Sequence, residues 1–238
     1  MIVFEGATVS VPGPDGDRRI LEPLSVTLAE RRIAVIGANG SGKSTLLKLI
    51  NGLVTPTAGR VLVEGLDTVK AGRAVRQRVG FVFTDPLSQL VMPTGLEDVE
   101  LSLRARLRNP TERRTTALGV LERFGLAPLA EQSIYDLSGG ERQLMALAAV
   151  LAVDPRILVA DEPTTLLDLR NERRVRRLFS GLDQQLVFTT HDLEFAADSD
   201  RVLVIDDGRL VFDGDPRTAI DHYRGLHLDA GKLPGDDR

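Results

Sequence analysis

The feature that most constrains the fold of this chain is the stretch GANGSGKST at residues 37–45. It fits the spacing G-x-x-x-x-G-K-[ST], and it joins the apolar run IAVIG (33–37) to the helical pattern TLLKLING. Its glycines allow the backbone to turn tightly and to point N–H groups at phosphate oxygens, and the helix start adds positive potential. The stretch therefore predicts a phosphate-binding loop between a buried strand and a helix, rather than a plain glycine-rich turn.

The end of this loop indicates how a nucleotide and its metal would be held. Lys43 is expected to reach the β- and γ-phosphates, and the Ser44 hydroxyl is expected to ligate Mg²⁺. The residues predicted to bind the nucleotide are Gly37, Ala38, Asn39, Gly40, Ser41, Gly42, Lys43, Ser44 and Thr45.

Two further apolar runs predict a parallel sheet. They are ILVA (157–160) and LVFTT (186–190), and each is unbroken rather than alternating, which is typical of a strand covered on both faces. Helical patterns follow these runs, as in the βα units of α/β proteins. In contrast, the opening segments VFEGATVSV and LEPLSVTL predict an antiparallel β layer, and residues 201–214 predict a hairpin.

Charged side chains come directly after two of the predicted parallel strands. Asp161 is expected to hold a water of the Mg²⁺ shell, and Glu162 is expected to polarise the attacking water. An Asp-Glu pair alone favours a solvated loop, and the presence of the phosphate loop reverses that preference. His191 follows the strand LVFTT, at the edge where ligands collect in such sheets, so we expect it to contact the γ-phosphate.

The stretch LSGGERQ at 137–143 predicts the start of a helix. Ser138 can cap that helix, and the following apolar residues recur at helical spacing. Gly139 and Gly140 would allow another molecule to come close. On local grounds the stretch fits an ordinary capped helix as well as it fits a binding motif.

Composition excludes several classes of protein. The net charge of −4 argues against a protein held to nucleic acid by phosphate contacts, so no nucleic-acid partner is expected. The chain has no cysteine, which excludes disulfides, thiolate zinc sites and cysteine nucleophiles.

The chain resembles ABC-type ATPases in motifs that follow the family's order. They are GANGSGKST (Walker A), LSGGE (the signature), ILVADEP (Walker B), TTLLD (the D-loop) and THD (the switch histidine), over roughly residues 1–220. The resemblance implies an α/β P-loop NTPase fold with a RecA-like core, an N-terminal antiparallel β layer and an inserted helical subdomain. We expect one ABC ATPase domain at 1–222, with its core at about 1–90 and 153–222, its helical subdomain at about 91–152, and a tail at 223–238.

The same resemblance implies a head-to-tail dimer, of two copies or of one copy and a paralogue, with ATP between the subunits. Lys43, Ser44, Asp161, Glu162 and His191 of one subunit would face the signature of the other. The signature residues expected to act in trans are Leu137, Ser138, Gly139, Gly140 and Glu141, and Asp168 belongs to the D-loop.

The chain is most similar to the ATPases of energy-coupling-factor (ECF) importers. The resemblance rests on the D-P-x-x-Q run at 85–89, on MPTGLEDVEL and on LSGGE; GFVFTDPLSQLVMPT and VADEPTTLLDLRN resemble the ATPases of biotin uptake. It implies a transmembrane coupling protein, a substrate-binding membrane subunit and a place on the cytoplasmic face of the membrane. Cobalt, nickel or another vitamin are alternative cargoes. A soluble ABC ATPase of DNA repair or translation is the alternative class.

Two positions depart from the wider family. Val11 stands where an aromatic residue normally stacks on adenine, so base selectivity is expected to be weak. Thr84 replaces the Q-loop glutamine, and we expect it to reach the metal's water shell through a bridging water. Gln89, beyond this hinge, is expected to help form the groove that grips the membrane partner. A tolerated strand end and a surface glutamine are the plain alternatives for Thr84 and Gln89.

Overall fold

A computed structural model describes residues 1–14, 16–165 and 167–230. By their internal contacts these residues form two compact units, the first from residues 1–76 and 185–230 and the second from residues 77–184. No helix in these described ranges combines the length and the apolar character needed to cross a bilayer.

The first unit contains two layers of strands. Its strands, numbered along the chain, are β1 (Ile2–Gly13), β2 (Gly16–Leu28), β3 (Arg32–Ile36), β4 (Ala58–Val63), β5 (Leu66–Asp67), β8 (Gln185–Thr189), β9 (Arg201–Asp206) and β10 (Arg209–Gly214). The antiparallel layer has the order β2-β1-β4-β5. In the other layer, β3 lies between β8 and β9 and runs parallel to both, while β10 pairs antiparallel with β9.

The helices of this unit are α1 (Lys43–Ile50), α2 (Gly72–Arg76), α7 (Leu193–Ala197) and α8 (Pro216–Ala230). Helix α8 continues into the polar stretch after residue 225, which the sequence pattern predicts to be loosely ordered; residues 231–238 of that tail lie outside the described residues.

Burial explains why the apolar runs form parallel strands. In β3, Ile33, Ala34 and Val35 are fully buried, as an unbroken apolar run requires when both faces are covered. The hairpin of β9 and β10 turns through Asp207 and Gly208, both at positive φ (42° and 75°), as a two-residue turn of the primed type demands.

The second unit joins two parallel strands to four helices. Its elements are β6 (Val79–Val82), α3 (Gly95–Leu103), α4 (Pro110–Arg123), α5 (Gly139–Leu151), β7 (Ile157–Ala160) and α6 (Leu169–Ser180), with 3-10 turns at Pro86–Ser88 and Ala127–Leu129. Strand β6 pairs parallel with β7. Helix α5 is the central helix of this unit, because all seven of its residues from Gln143 to Ala149 are buried. The predicted α/β fold with an antiparallel β layer is confirmed.

Arg201, at the start of β9, ties three segments of the first unit together. Its Nε and Nη2 each donate to an oxygen of Asp213 at 2.6 Å, and its Nη1 donates to both Glu30 oxygens (3.0 and 3.1 Å) and to the Thr27 carbonyl (2.9 Å). The side chain is 19% exposed, so these contacts are only partly screened by solvent.

Replacing Arg201 with lysine should therefore destabilise the protein although the charge is kept. Lysine cannot reproduce the planar, forked donation, and we expect Arg201→Lys to lower the free energy of unfolding by about 1–3 kcal/mol. Arg19→Lys is the matched control, because the Arg19–Glu22 pair is exposed, and it should change stability by less than about 0.5 kcal/mol. Urea denaturation measures the free energy of unfolding of both variants. Equal losses in the two would contradict a stabilising role for the forked contacts of Arg201.

Candidate nucleotide-binding site

The phosphate loop lies where the sequence predicts it, between β3 and α1 of the first unit. Lys43 is 4% exposed, and its Nζ donates to the carbonyls of Gly37 and Ala38 at 2.9 Å each. The Gly208 N–H donates to the Ser41 carbonyl at 2.9 Å. The lysine therefore folds over the loop that precedes it, and the hairpin of β9 and β10 supports that loop from outside.

The N-terminus of α1 differs from the helix starts of α3 to α7. Its N-cap is Gly42, at φ 104°, and no side chain caps the helix. The side chains that cap α3, α4, α5, α6 and α7 are those of Thr94, Asn109, Ser138, Asp168 and Asp192. The first amides of a helix have no acceptor within the helix and carry partial positive charge, so α1 offers an anion site that the capped helices do not.

His191 lies at the same edge of the first unit's parallel layer as the phosphate loop. Strands β3 and β8 pair in parallel with Val35 opposite Thr189, so the segments that follow them leave the layer side by side. His191 is exposed, and Asp192 beside it caps α7 by accepting from Glu194 and Phe195 N–H groups at 2.8 and 3.0 Å. The structure thus brings together the loop and the histidine that the sequence singles out.

The second unit brings together the acidic pair and Thr84 in the same way. Strands β6 and β7 pair in parallel with Val82 opposite Ala160, and the Asp161 N–H donates to the Val82 carbonyl at 2.9 Å. Asp161 is 5% exposed. Thr84, two residues after β6, therefore leaves the strand pair beside Asp161 and Glu162.

Glu162 has an unusual backbone for a glutamate. Its φ is 47°, in the left-handed region that residues other than glycine seldom adopt, and its Oε2 accepts from the Thr165 hydroxyl at 3.0 Å. Strained residues of this kind persist where surrounding structure holds them, and they concentrate at functional sites. Sequence patterns do not reveal this conformation.

The donor set suits magnesium. The Ser44 hydroxyl stands in the first turn of α1, and the Asp161 carboxylate follows β7. Both supply hard oxygen donors, and Mg²⁺ in nucleotide sites takes only a few protein ligands besides waters and phosphate oxygens. Each residue is therefore a suitable type of ligand for the ion that the sequence predicts, and a magnesium site that uses both stays a prediction.

Gln89 is engaged inside the second unit, a contact that the sequence does not reveal. Its Oε1 accepts from the Phe83 N–H at 3.2 Å, and its Nε2 donates to the Ala146 carbonyl at 3.1 Å. The side chain thereby joins the end of β6 to the middle of α5, so it is not a plain surface glutamine. A role of Gln89 at the membrane partner stays a prediction, and the hydrogen bonds add an internal role.

The signature serine forms a capping box at the start of α5. The Ser138 Oγ accepts from the Glu141 N–H at 3.3 Å, while Glu141 Oε2 accepts from the Ser138 hydroxyl (2.7 Å) and N–H (2.8 Å). The bond from the Ser138 hydroxyl, followed by that from its backbone N–H, holds the pKa of Glu141 below its ordinary value. Ser138 and Gly139 are exposed, whereas Leu137 anchors the start of the helix in the core.

Gly140 lies close to a side chain of its own chain. A Cβ at this position would lie 2.3 Å from Nδ2 of Asn171 on α6. The N–H and Nδ2 of Asn171 in turn donate to Asp168 at 2.8 and 3.3 Å. The signature and the D-loop aspartate are therefore joined through Asn171, a residue that the sequence analysis does not single out although it stands at the N3 position of α6.

Removing the Gln89 amide tests the internal role. Gln89→Ala leaves the partly buried Phe83 N–H without its acceptor and removes the additional bond to the Ala146 carbonyl, and we expect a loss of about 1–3 kcal/mol in the free energy of unfolding. Gln132→Ala changes the same residue type at an exposed position of the same unit and should cost less than about 0.5 kcal/mol. Chemical denaturation of both variants measures the difference. An unchanged free energy of unfolding in Gln89→Ala would contradict a stabilising role for these hydrogen bonds.

Comparison with known proteins gives a consistent family. The family model described as ABC transporter matches residues 21–165. The biotin transport ATP-binding protein BioM of Rhizobium etli is 45% identical over 225 residues, which cover 94% of this chain and 98% of that protein. The energy-coupling factor transporter ATP-binding protein EcfA2 of Symbiobacterium thermophilum is 40% identical over 225 residues, covering 90% of this chain and 78% of that protein.

A solved structure agrees with these relatives. The dimeric structure of the ATP-binding cassette MJ0796, in a post-hydrolysis state bound to ADP and Pi, matches with a TM-score of 0.84 and 30% identity, over 91% of this chain and 99% of that chain. The predicted P-loop fold and the predicted ATPase activity are thereby confirmed. Since the family model spans more than half of the chain and the relatives match along most of their length, the chain belongs to the ATP-hydrolysing subunits of ABC transporters, in their energy-coupling-factor branch.

Proposed function

We propose that this ATPase drives an importer whose cargo is biotin. The observation that carries the proposal is the match to the R. etli biotin transport protein, which extends over nearly the full length of both chains. The relatives reported above are transport ATPases, so the alternative of a soluble ABC ATPase in DNA repair or translation gains no support from them.

Each group of site residues has one task in the proposed cycle. The phosphate loop, with Lys43 and the uncapped start of α1, binds the phosphates of ATP. Glu162 accepts a proton from the attacking water, and His191 contacts the γ-phosphate. Mg²⁺, when bound through Ser44 and the water-mediated Asp161, neutralises charge on the phosphates. The buried position of Lys43 and the constrained backbone of Glu162 support these assignments.

Hydrolysis in this proposal takes place between two subunits arranged head to tail. The exposed Ser138 and Gly139 of one subunit, at the N-terminus of α5, face the γ-phosphate bound by the other. The Ser138 hydroxyl donates to Glu141 in the structure, so it must turn away from Glu141 to donate to a phosphate. ATP then stabilises the closed dimer because it contacts both subunits only in that state.

The membrane partner is proposed to dock on the second unit. A groove of about 490 Å³ lies there, lined by charged and apolar side chains from α3, α4 and the segments beside them. The lining residues are Met92, Glu97, Glu100, Leu101, Arg104, Arg108, Pro110 and Arg113. A groove lined by both charged and apolar side chains suits an amphipathic segment of a transmembrane protein. The subunit would then lie on the cytoplasmic face of the membrane.

The first test concerns the proposed general base. Glu162→Gln keeps the size of the side chain but cannot accept a proton, so turnover should fall by at least about a hundredfold while ATP binding is kept. The variant should also accumulate an ATP-bound dimer, visible by size-exclusion chromatography. Lys43→Ala is the comparison, because it should lose ATP binding as well. Near-wild-type turnover in Glu162→Gln would exclude this role.

Thr84 is tested by removing its hydroxyl without changing its shape. We propose that Thr84 holds the water shell of the metal through a bridging water, because it follows β6 beside Asp161 and Glu162. Thr84→Val should lower hydrolysis by the isolated subunit about 10-fold, the effect of losing one hydrogen bond of about 1.4 kcal/mol in the transition state, and should leave assembly with the membrane partner intact. Thr84→Ser is the matched control and should hydrolyse ATP nearly normally.

The cargo is tested by uptake. The chain and the membrane proteins encoded beside it are produced together in cells that cannot take up biotin, and accumulation of labelled biotin, cobalt and nickel is measured. Accumulation of biotin that is lost with Glu162→Gln supports the proposal. ATP-dependent accumulation of a metal ion in place of biotin would overturn the cargo and leave the transport role standing.

A further inference from the structure

The base of the nucleotide lacks its usual aromatic partner in this chain. The family resemblance places Val11 at the adenine-stacking position, and the structure shows Val11 on β1 opposite Arg18, with its side chain 41% exposed. An aliphatic side chain offers no π-face to a base. Whatever holds the base must therefore come from another part of the protein.

A conspicuous aromatic residue lies next to the signature. Tyr135 is 74% exposed, the highest value among the large hydrophobic side chains that the structure describes. An isolated exposed aromatic ring gains little from folding, and such rings are enriched where proteins contact ligands or partners. We therefore expect a ligand or a partner to cover the Tyr135 ring.

The loop that carries Tyr135 is fixed on both sides. Ile134 and Leu137 are 2% and 3% exposed, and the Ile134 N–H donates to the Pro93 carbonyl at 3.0 Å. The Tyr135 N–H donates to the Ser133 hydroxyl at 3.3 Å, and the Asp136 N–H donates to the Ser133 carbonyl at 3.0 Å. The buried anchors and the closed turn thus hold the backbone of Tyr135 in place while its ring points to solvent. Less conformational entropy is then lost when the ring binds a ligand.

Tyr135 lies close to the signature along the chain. Tyr135 precedes Ser138 by three positions, so their Cα atoms are at most about 10 Å apart, on the scale of a nucleotide's own length. A nucleotide whose γ-phosphate lies at Ser138 extends its base away from that point. Tyr135 is the aromatic residue of the signature segment that can follow it.

We propose that Tyr135 of one subunit stacks on the base of the nucleotide bound by the phosphate loop of a second copy, and so replaces in trans the aromatic surface that Val11 does not provide. This inference rests on the head-to-tail dimer of the proposed function. Stacking is tolerant of base identity because every base has a π-face. The site therefore gains affinity for nucleotides without a strong preference between ATP and GTP.

Two substitutions and two substrates test the contact. Tyr135→Ala should raise the KM for ATP and for GTP about 5- to 150-fold, the range that corresponds to losing one aromatic–base stack of about 1–3 kcal/mol, with kcat changed less than about 3-fold. Tyr135→Phe keeps the ring and should behave as the wild type. The exposure of Tyr135 makes both variants expected to fold. A fall in kcat at constant KM would instead assign Tyr135 to the signature's structure and overturn the proposal.

Inorganic tripolyphosphate serves as a probe without a base. Its inhibition constant against ATP hydrolysis should be the same, within about 2-fold, in the wild type and in Tyr135→Ala, because the phosphate contacts remain. If Tyr135→Ala weakens the binding of tripolyphosphate and of ATP equally, the substitution acts on the phosphate contacts, and stacking is refuted. Unchanged KM values in Tyr135→Ala, with impaired binding to the membrane proteins, would make Tyr135 a partner contact and equally refute it.

Mixed dimers separate action in trans from action within one chain. A Tyr135→Ala chain is combined with a Lys43→Ala chain, both carrying Glu162→Gln so that bound ATP is retained. If Tyr135 acts in trans, the mixture contains one complete site per mixed dimer and retains ATP with wild-type affinity. If Tyr135 acts on the nucleotide bound by its own chain, no dimer in the mixture has a complete site and none binds ATP with that affinity. Failure of wild-type ATP hydrolysis or dimerisation would refute the proposed function instead, so the two failures are distinguishable.

Discussion

Parallel strand pairing is the constraint on which the arrangement of the site depends. In the first unit the pairing of β3 with β8 places the phosphate loop and His191 at one edge. In the second unit the pairing of β6 with β7 places Thr84 next to Asp161 and Glu162. The carboxyl ends of parallel strands necessarily face the same way, so strand pairing by itself is sufficient to gather residues that are far apart in sequence. A one-residue shift of register in either pair would move an entire group of functional residues.

The N-termini of α1 and α5 differ in whether a side chain caps them. Helix α5 begins with a complete capping box, and α1 begins at a glycine with no side-chain cap. An uncapped N-terminus is costly unless water or an anion meets its amides, which makes α1 the place where a phosphate contributes most. At α5, the Ser138 hydroxyl donates to Glu141, and a phosphate in the proposed dimer would have to compete for that hydroxyl. The two ends of the proposed nucleotide sandwich thus start from different resting states.

Features that depend on neighbours in sequence could be predicted, and those that depend on distant contacts could not. Unbroken apolar runs and the phosphate-loop spacing led to β3, α1, β7 and β8, because burial on both faces and glycine-dependent turns leave local patterns. The side-chain bridge of Gln89 to Ala146 and the contact of Asn171 with Gly140 leave none, since each joins segments separated by other elements. The positive φ of Glu162 is likewise set by tertiary structure.

These distant contacts join three functional segments of the second unit. Gln89 connects the strand end before Thr84 to the middle of α5, and α5 begins at the signature. Gly140 in that signature packs on Asn171, which is bonded to Asp168. Hydrogen bonds and close contacts therefore connect the end of β6, through α5 and Asn171, to the D-loop. The hydrogen bonds of Gln89 are partly buried and those of Asn171 are exposed, so solvent competes less with the connection at the end of β6 than with the connection at the D-loop.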